Sequence, residues 1–92
     1  MTCKEIIIDY LKANYGELIT HHSLDSVLPN YGYLRFYKQY SPATYHRNYC
    51  WVKKDSELLL KNGIELKPEK LEGKNYDAWK IIRKQQTEME LK

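Results

Sequence analysis

Residues 41–55, SPATYHRNYCWVKKD, decide the fold because they begin the helix around which the other elements are arranged. Ser41 can cap that helix, and Pro42 takes the first helical position, where its missing N–H costs nothing. Asn62 and Gly63 form a typical helix stop. The sequence therefore predicts a helix over residues 42–60.

This helix has one apolar face and one polar face. Tyr45, Tyr49 and Val52 recur at helical spacing, which predicts that they are buried in the core. The opposite side is rich in polar, basic and aromatic residues: Thr44, His46, Arg47, Trp51, Lys53 and Lys54.

The excess positive charge of the chain is concentrated around this helix. Residues 31–54 contain five basic residues and no acidic one, whereas residues 1–30 contain two basic and four acidic residues. Residues 55–92 contain eight of each sign, so the whole net charge of +3 arises in the middle segment. Such a segment either attracts phosphates or aids solubility.

The composition is typical of one small globular domain. We expect residues 1–82 to form it and residues 83–92 to be a charged tail, either a frayed helix or disordered. Cys3 and Cys50 lie far apart, and free thiols in a reducing compartment are the expected state. Neither a signal peptide nor a membrane span is evident, which predicts a cytoplasmic protein.

The first thirty residues predict two helices and a strand. A helix over residues 2–15 begins with the capping box formed by Thr2 and Glu5. A short strand follows around residues 18–19. Thr20 can then cap a second helix, which Pro29 is expected to end. The apolar face of that helix is predicted to be Leu24, Val27 and Leu28.

Residues 29–40 allow two interpretations. They contain the loop formers Pro29, Asn30 and Gly32, followed by YLRFYKQY. That stretch forms either one or two helical turns, with Leu34 and Tyr37 facing inward, or an extended basic and aromatic segment.

Residues 64–82 predict a β-hairpin. Ile64 and Leu66 alternate with polar residues, and a polar tip separates them from a returning strand that contains Tyr76, Ala78 and Ile82. Trp79 is out of phase with that strand, which predicts either a bulge or a strand end near it.

This order of elements resembles the winged helix-turn-helix domain over about residues 3–82. NGIELKPEKLEGKNYDAWKI is similar to the wing, and GELITHHSLDSVL to the strand and helix before the recognition helix. The recognition-helix pattern falls on Ser41, Thr44, Tyr45, Arg47, Tyr49 and Val52. The resemblance implies an α+β fold of three helices with a small antiparallel sheet. One departure is the segment of about twelve residues, Pro29 to Tyr40, where the family has a tight turn.

The resemblance implies double-stranded DNA binding, sequence-selective or architectural, through the recognition helix at about 42–60 and the wing at 64–82. A transcriptional regulator or an accessory factor is the expected role. Arg47 suits guanine and Asn48 suits adenine. The candidate contacts are Ser41, Thr44, His46, Arg47, Asn48, Trp51, Lys53, Lys54, Lys67, Lys70 and Lys74.

Two other kinds of partner remain open. Winged helices also serve as protein-interaction modules, such as a small phage-type inhibitor of a host complex. The aromatic residues of segment 31–40 suit either single-stranded bases or packing against the core. A homodimer is a further expectation, through a helical seam of Trp79, Ile82, Gln86 and Met89.

No catalytic pattern is present. His21, His22, Ser23 and Asp25 include the residue types of a triad, but sequence neighbours rarely converge on one site. The histidines and cysteines lack metal-ligand spacing, and the chain has no glycine-rich phosphate loop. We therefore expect no enzyme activity, no cofactor and no metal.

Overall fold

The computed structural model describes residues 2–70 and 77–84. Its elements are α1 (Cys3–Ala13), β1 (Leu18–Ile19), a π-helical turn (Ser23–Val27) that continues into α2 (Leu28–Phe36), α3 (Pro42–Lys54), α4 (Ser56–Lys61), β2 (Ile64–Lys70) and β3 (Asp77–Arg83). Helices and an antiparallel sheet make the fold α+β, as predicted. Within these described ranges, no helix has both the length and the apolar character needed to span a bilayer.

The capping box predicted for α1 is confirmed. The Thr2 hydroxyl accepts a hydrogen bond from the Glu5 N–H at 3.2 Å, and the Glu5 carboxylate accepts one from the Thr2 N–H at 2.7 Å. The bond from the Thr2 backbone lowers the pKa of Glu5. The helix ends slightly earlier than predicted, at Ala13. The buried residues of α1 are Cys3, Ile6, Ile7, Tyr10 and Leu11.

The prediction that Pro29 ends the second helix is wrong. Residues 21–36 are helical without interruption, because the π-helical turn precedes the proline. In a regular α-helix the Pro29 ring would clash with the Asp25 carbonyl. Here the N–H of Leu28 bonds back to the Ser23 carbonyl, which widens the turn where the ring has to fit. Thr20 does cap this helix, and its hydroxyl accepts from the Ser23 N–H at 3.4 Å.

The inward faces predicted for this region are also partly wrong. Leu28 and Gly32 face the core. Leu34 is 65% exposed and Tyr37 is 85% exposed, and Val27 is exposed as well. In the observed helix, Leu28 and Gly32 lie four residues apart and therefore share the face that packs on the core. Leu34 and Tyr37 do not have this spacing from Gly32, so their side chains point away from that face.

Residues 29–36 therefore lengthen the second helix, and the segment of residues 29–40 does not form an inserted loop. Tyr37 ends the helix in a left-handed conformation, with φ 57°, and its N–H bonds to the Tyr33 carbonyl at 3.0 Å. Only residues 37–41 remain between α2 and α3. This short connection sets the two helices close to one another.

The helix predicted over residues 42–60 is two helices. Asp55 interrupts it and caps α4, because its carboxylate accepts a hydrogen bond from the Leu58 N–H at 3.1 Å. An aspartate side chain competes with the helix for backbone N–H groups, which favours this break. Leu59 is still buried, and the predicted stop at Asn62 is confirmed.

The predicted hairpin joins β1 in a three-stranded antiparallel sheet of order β1–β3–β2. Its register is regular from the Ile64–Arg83 pair to the Lys70–Asp77 pair. Strand β3 continues past Trp79 to Arg83, so the prediction of a bulge or a strand end near Trp79 is wrong. Ile81 is fully buried, and Trp79 packs against the same core. These two residues therefore lie on the face of β3 that faces the core. Tyr76 lies outside the described residues.

The predicted dimer seam is not a helical face. Trp79 and Ile82 lie in strand β3, three residues apart, and point to opposite sides of the sheet. Gln86 and Met89, and the tail from residue 85 on, lie outside the described residues.

The contact of α2 with α3 depends on Gly32. A Cβ atom at this position would overlap the Tyr45 hydroxyl oxygen and touch Ile6. Tyr45 is fully buried, and within the described residues its hydroxyl has no hydrogen-bond partner. Burial raises the pKa of Tyr45 to about 12. The absence of a Gly32 side chain is therefore what admits this ring between the helices.

The two thiols are expected to react at very different rates. Cys3 is buried, and desolvation raises its pKa to about 11, whereas Cys50 is exposed on α3. The thiolate is the reactive species, so a water-soluble disulfide reagent at neutral pH should modify Cys50 rapidly and Cys3 slowly. Cys50→Ser should remove this fast phase and leave Cys3 to react upon unfolding. Two equally fast thiols would contradict the burial of Cys3.

Candidate nucleic-acid interface

The N-terminus of α3 is fixed by the cap predicted from the sequence. The Ser41 hydroxyl accepts a hydrogen bond from the Thr44 N–H at 3.2 Å, and the hydroxyls of the two residues lie 3.0 Å apart. Tyr45, Tyr49 and Val52 are buried, as predicted. Because that face is fixed in the core, the residues opposite it must face solvent. We call the exposed residues Ala43, Arg47, Cys50, Trp51 and Lys54 the outer face of α3.

Arg47 is the central charge of the outer face. It is exposed, and it makes no hydrogen bond or ion pair with any residue in the described ranges. Lys54 is likewise exposed, two turns further along the helix, and has no such partner among those residues. Both side chains therefore keep their charge available to a ligand.

Trp51 brings a further basic residue to the outer face. The Trp51 side chain is 52% exposed, and the Lys4 ammonium lies 5.1 Å from the centre of its ring. Lys4 belongs to α1, so its presence here depends on the packing of α1 against α3 and was not predicted from the sequence.

Lys53 is held between α3 and the sheet. Its ammonium lies 5.4 Å from the centre of the Tyr49 ring and 4.8 Å from that of the Trp79 ring. These cation–π contacts fix the half-buried side chain at the edge of the outer face. Lys53 adds positive potential there but has less freedom than Lys54 to reach a ligand.

Two of the predicted contacts are turned toward the protein. Asn48 is half-buried, and its amide donates to the Thr44 carbonyl at 2.9 Å. His46 is half-buried, and its Nε2 atom lies 2.7 Å from the Asp25 carboxylate. Each side chain therefore has one polar atom engaged within the protein, and only its remaining polar atoms are left for a ligand.

The lysines of the hairpin do not share one side. Lys67 and Lys70 are exposed on β2, but they are three residues apart and therefore point to opposite faces of the ribbon. Lys67 lies directly opposite Lys80 on β3, so one face carries two adjacent positive charges. Lys74 lies outside the described residues.

The aromatic segment divides between core and surface. Tyr31, Phe36 and Tyr40 pack against the core, which favours the packing interpretation over base stacking for these three. Asp9 accepts hydrogen bonds from the Tyr31 hydroxyl and from Arg35, the latter at 3.0 Å. Burial and the neighbouring Asp9 raise the pKa of Tyr31 to about 12. One of the five basic residues of segment 31–54 is thus already paired.

Three side chains that the sequence did not group lie together beside α3. His21 and Asp25 belong to the helical segment of residues 21–36, and they lie close to His46 of α3. One nitrogen or oxygen atom from each of the three side chains lies within 4.8 Å of the others. The hydrogen bond from His46 lowers the pKa of Asp25. The spacing of His21 and Asp25, one helical turn apart, was visible in the sequence, but the position of His46 depends on tertiary packing.

Comparisons of the chain with protein-family models, curated proteins and solved structures found no match.

Proposed function

We propose that the chain is a cytoplasmic protein of the winged helix-turn-helix type that binds double-stranded DNA, with α3 as the recognition helix. It acts as a transcriptional regulator or accessory factor. The observation that carries this proposal is the outer face of α3, where Arg47 and Lys54 are unpaired among the described residues and flank an exposed Trp51. An exposed helix of this kind fits the major groove.

The order of the elements supports the winged-helix interpretation. A strand after the first helix pairs with the second strand of a terminal hairpin, which gives the sheet order β1–β3–β2. The connection of residues 37–41 between α2 and α3 is short, which removes the main departure from the family pattern. The hairpin β2–β3 then takes the place of the wing.

The charges of the outer face favour a polyanion. Arg47 can donate two parallel hydrogen bonds to a guanine edge, and Lys54 and Lys4 can reach phosphates on either side. The nearby acid Asp25 is already bonded to His46, so it does not pair with Arg47. Of the two described lysines on β2, Lys67 is better supported as a phosphate contact, because Lys80 lies beside it.

The test is the binding of a labelled random duplex pool at about 50 mM and about 200 mM salt. With four cations engaged, affinity should fall about 100-fold between these conditions. Arg47→Ala combined with Lys54→Ala should weaken binding about tenfold or more and lower the salt slope by about 2.

The matched control is Lys12→Ala combined with Lys61→Ala. It removes the same charge from exposed positions in the last turns of α1 and α4, neither of which belongs to the outer face of α3. This variant should bind within about threefold of the parent. The proposal fails if the parent shows no duplex binding at low salt, or if both variants lose affinity equally.

A protein partner is the second candidate function, and the exposed end of α2 favours it. Leu34 and Tyr37 are largely exposed and lie three positions apart at the end of α2, an unusual position for two large apolar side chains. If this face binds a protein, Leu34→Ser with Tyr37→Ser should abolish the interaction and leave duplex binding unchanged. Equal loss of duplex binding in this variant would place the DNA contact on α2.

A further inference from the structure

The cluster of His21, Asp25 and His46 has the composition of a metal site. Two imidazoles and one carboxylate are a ligand set suited to zinc and other divalent transition metals. The three ligand atoms lie within 4.8 Å of one another, and a tetrahedral zinc site would bring them to about 3.3 Å apart. His21 and Asp25 are exposed and His46 is half-buried, so rotation of these side chains can bring the ligand atoms to the shorter distances of a zinc site.

The backbone favours convergence of these groups. Asp25 lies within the π-helical turn, a feature that is frequent at functional sites. His21 is one turn before it, and the two rings of His21 and His46 already lie with their centres 4.7 Å apart. Two helices therefore hold the ligands from opposite sides.

A cavity of about 280 Å³ adjoins the cluster. His21 and His46 line it together with Cys50, Lys53 and Trp79. Three protein ligands leave at least one coordination position for water, and this open cavity provides space for that molecule. The arrangement is thus closer to an open metal site than to a closed structural one.

We infer that His21, Asp25 and His46 bind a divalent transition metal of the zinc class and so join the second helix to α3. The bound ion would replace the direct bond between His46 and Asp25 with two metal–ligand bonds. This inference does not depend on DNA binding, because it concerns only the three side chains and the ion.

The test is zinc binding to the untagged full chain, measured by competition with a chromophoric zinc indicator. Cys50→Ser serves as the background, so that the exposed thiol cannot contribute. His21→Ala, Asp25→Asn and His46→Ala should each lower the affinity about tenfold or more. Zinc in excess should also raise the thermal midpoint by more than about 5 °C in the background chain and leave the His46→Ala variant unchanged.

His22→Ala is the matched control, because His22 is an exposed neighbour that does not belong to the cluster. Its zinc affinity should equal that of the background chain. In an NMR titration, zinc should shift the imidazole signals of His21 and His46 but not that of His22. The inference is overturned if the background chain binds zinc no tighter than His21→Ala combined with His46→Ala. An equal loss in His22→Ala would overturn it as well.

Discussion

Replacing Gly32 with Ala should lower the free energy of unfolding by about 2 kcal/mol, because the new methyl group overlaps the Tyr45 hydroxyl. An exposed helical glycine would show the opposite change, since Ala is favoured over Gly by about 1 kcal/mol. Tyr45 is fully buried, so its rigid ring cannot easily move aside. Urea unfolding followed by circular dichroism measures the difference.

Tyr45→Phe tests the cause of this destabilisation. The Tyr45 hydroxyl is buried without a hydrogen-bond partner in the described part of the chain, so its removal should stabilise the fold by about 1 kcal/mol. In the Tyr45→Phe background, Gly32→Ala should be nearly neutral, which gives a coupling energy of about 2 kcal/mol.

Tyr49→Phe provides the matched control for that cycle. Its hydroxyl is also buried and also lacks a partner among the described residues, but Tyr49 is not among the atoms nearest a Cβ at Gly32. Tyr49→Phe should therefore stabilise the fold without rescuing Gly32→Ala. If the alanine costs the same in all three backgrounds, the close approach of Tyr45 to Gly32 is not its cause.

Arg47→Glu should weaken the binding of a random duplex about 100-fold or more at low salt. The substitution removes the central cation of the outer face of α3 and places a negative charge against the phosphates. Arg47→Lys distinguishes the contribution of the positive charge at this position from that of specific hydrogen bonds to a base. It should keep random duplex binding within about threefold and lose about tenfold of the preference for a selected guanine-containing site, because lysine lacks the bidentate fork. Fluorescence anisotropy with both duplexes measures these differences.

Lys12→Glu is the charge-matched control for Arg47→Glu. It makes the same change in net charge at an exposed position in the last turn of α1. Its affinity for the random duplex should fall much less than that of Arg47→Glu. Equal weakening would mean that the overall charge of the protein governs binding, and Arg47 would then have no special role.

The parts of the fold that local chemistry specifies could be predicted from the sequence. The capping residues Thr2 and Ser41 act on backbone groups within three residues, so their patterns are readable without tertiary information. The alternation of Ile64 and Leu66 similarly reports a strand with one buried face. These signals located α1, the start of α3 and the hairpin.

The errors arose where tertiary packing or an unusual turn prevails over local preference. Pro29 is a strong helix breaker by itself, and only the π-helical turn before it allows residues 21–36 to continue. Trp79 faces the core because of its pairing with Ile19 and Pro68 across the sheet. The alternation of apolar and polar residues within β3 alone does not specify which face of the sheet Trp79 occupies.

The candidate site was likewise predicted in part. The outward position of Arg47 follows from helical spacing once Tyr45 and Tyr49 are buried. The contact of Lys4 with Trp51 and the approach of His46 to Asp25 join residues more than twenty positions apart. Their proximity depends on how α1 and the second helix pack against α3, which no local pattern specifies.

The most direct test of the central claim is an NMR titration of the isotope-labelled chain with a duplex of about 15 base pairs at low salt. If the outer face of α3 binds DNA, the largest amide shifts should fall on residues 43–54, with smaller ones near Lys4 and Lys67. Shifts confined to residues 33–38 at the end of α2, or no shifts at all, would contradict the assignment of α3 as the DNA-binding helix.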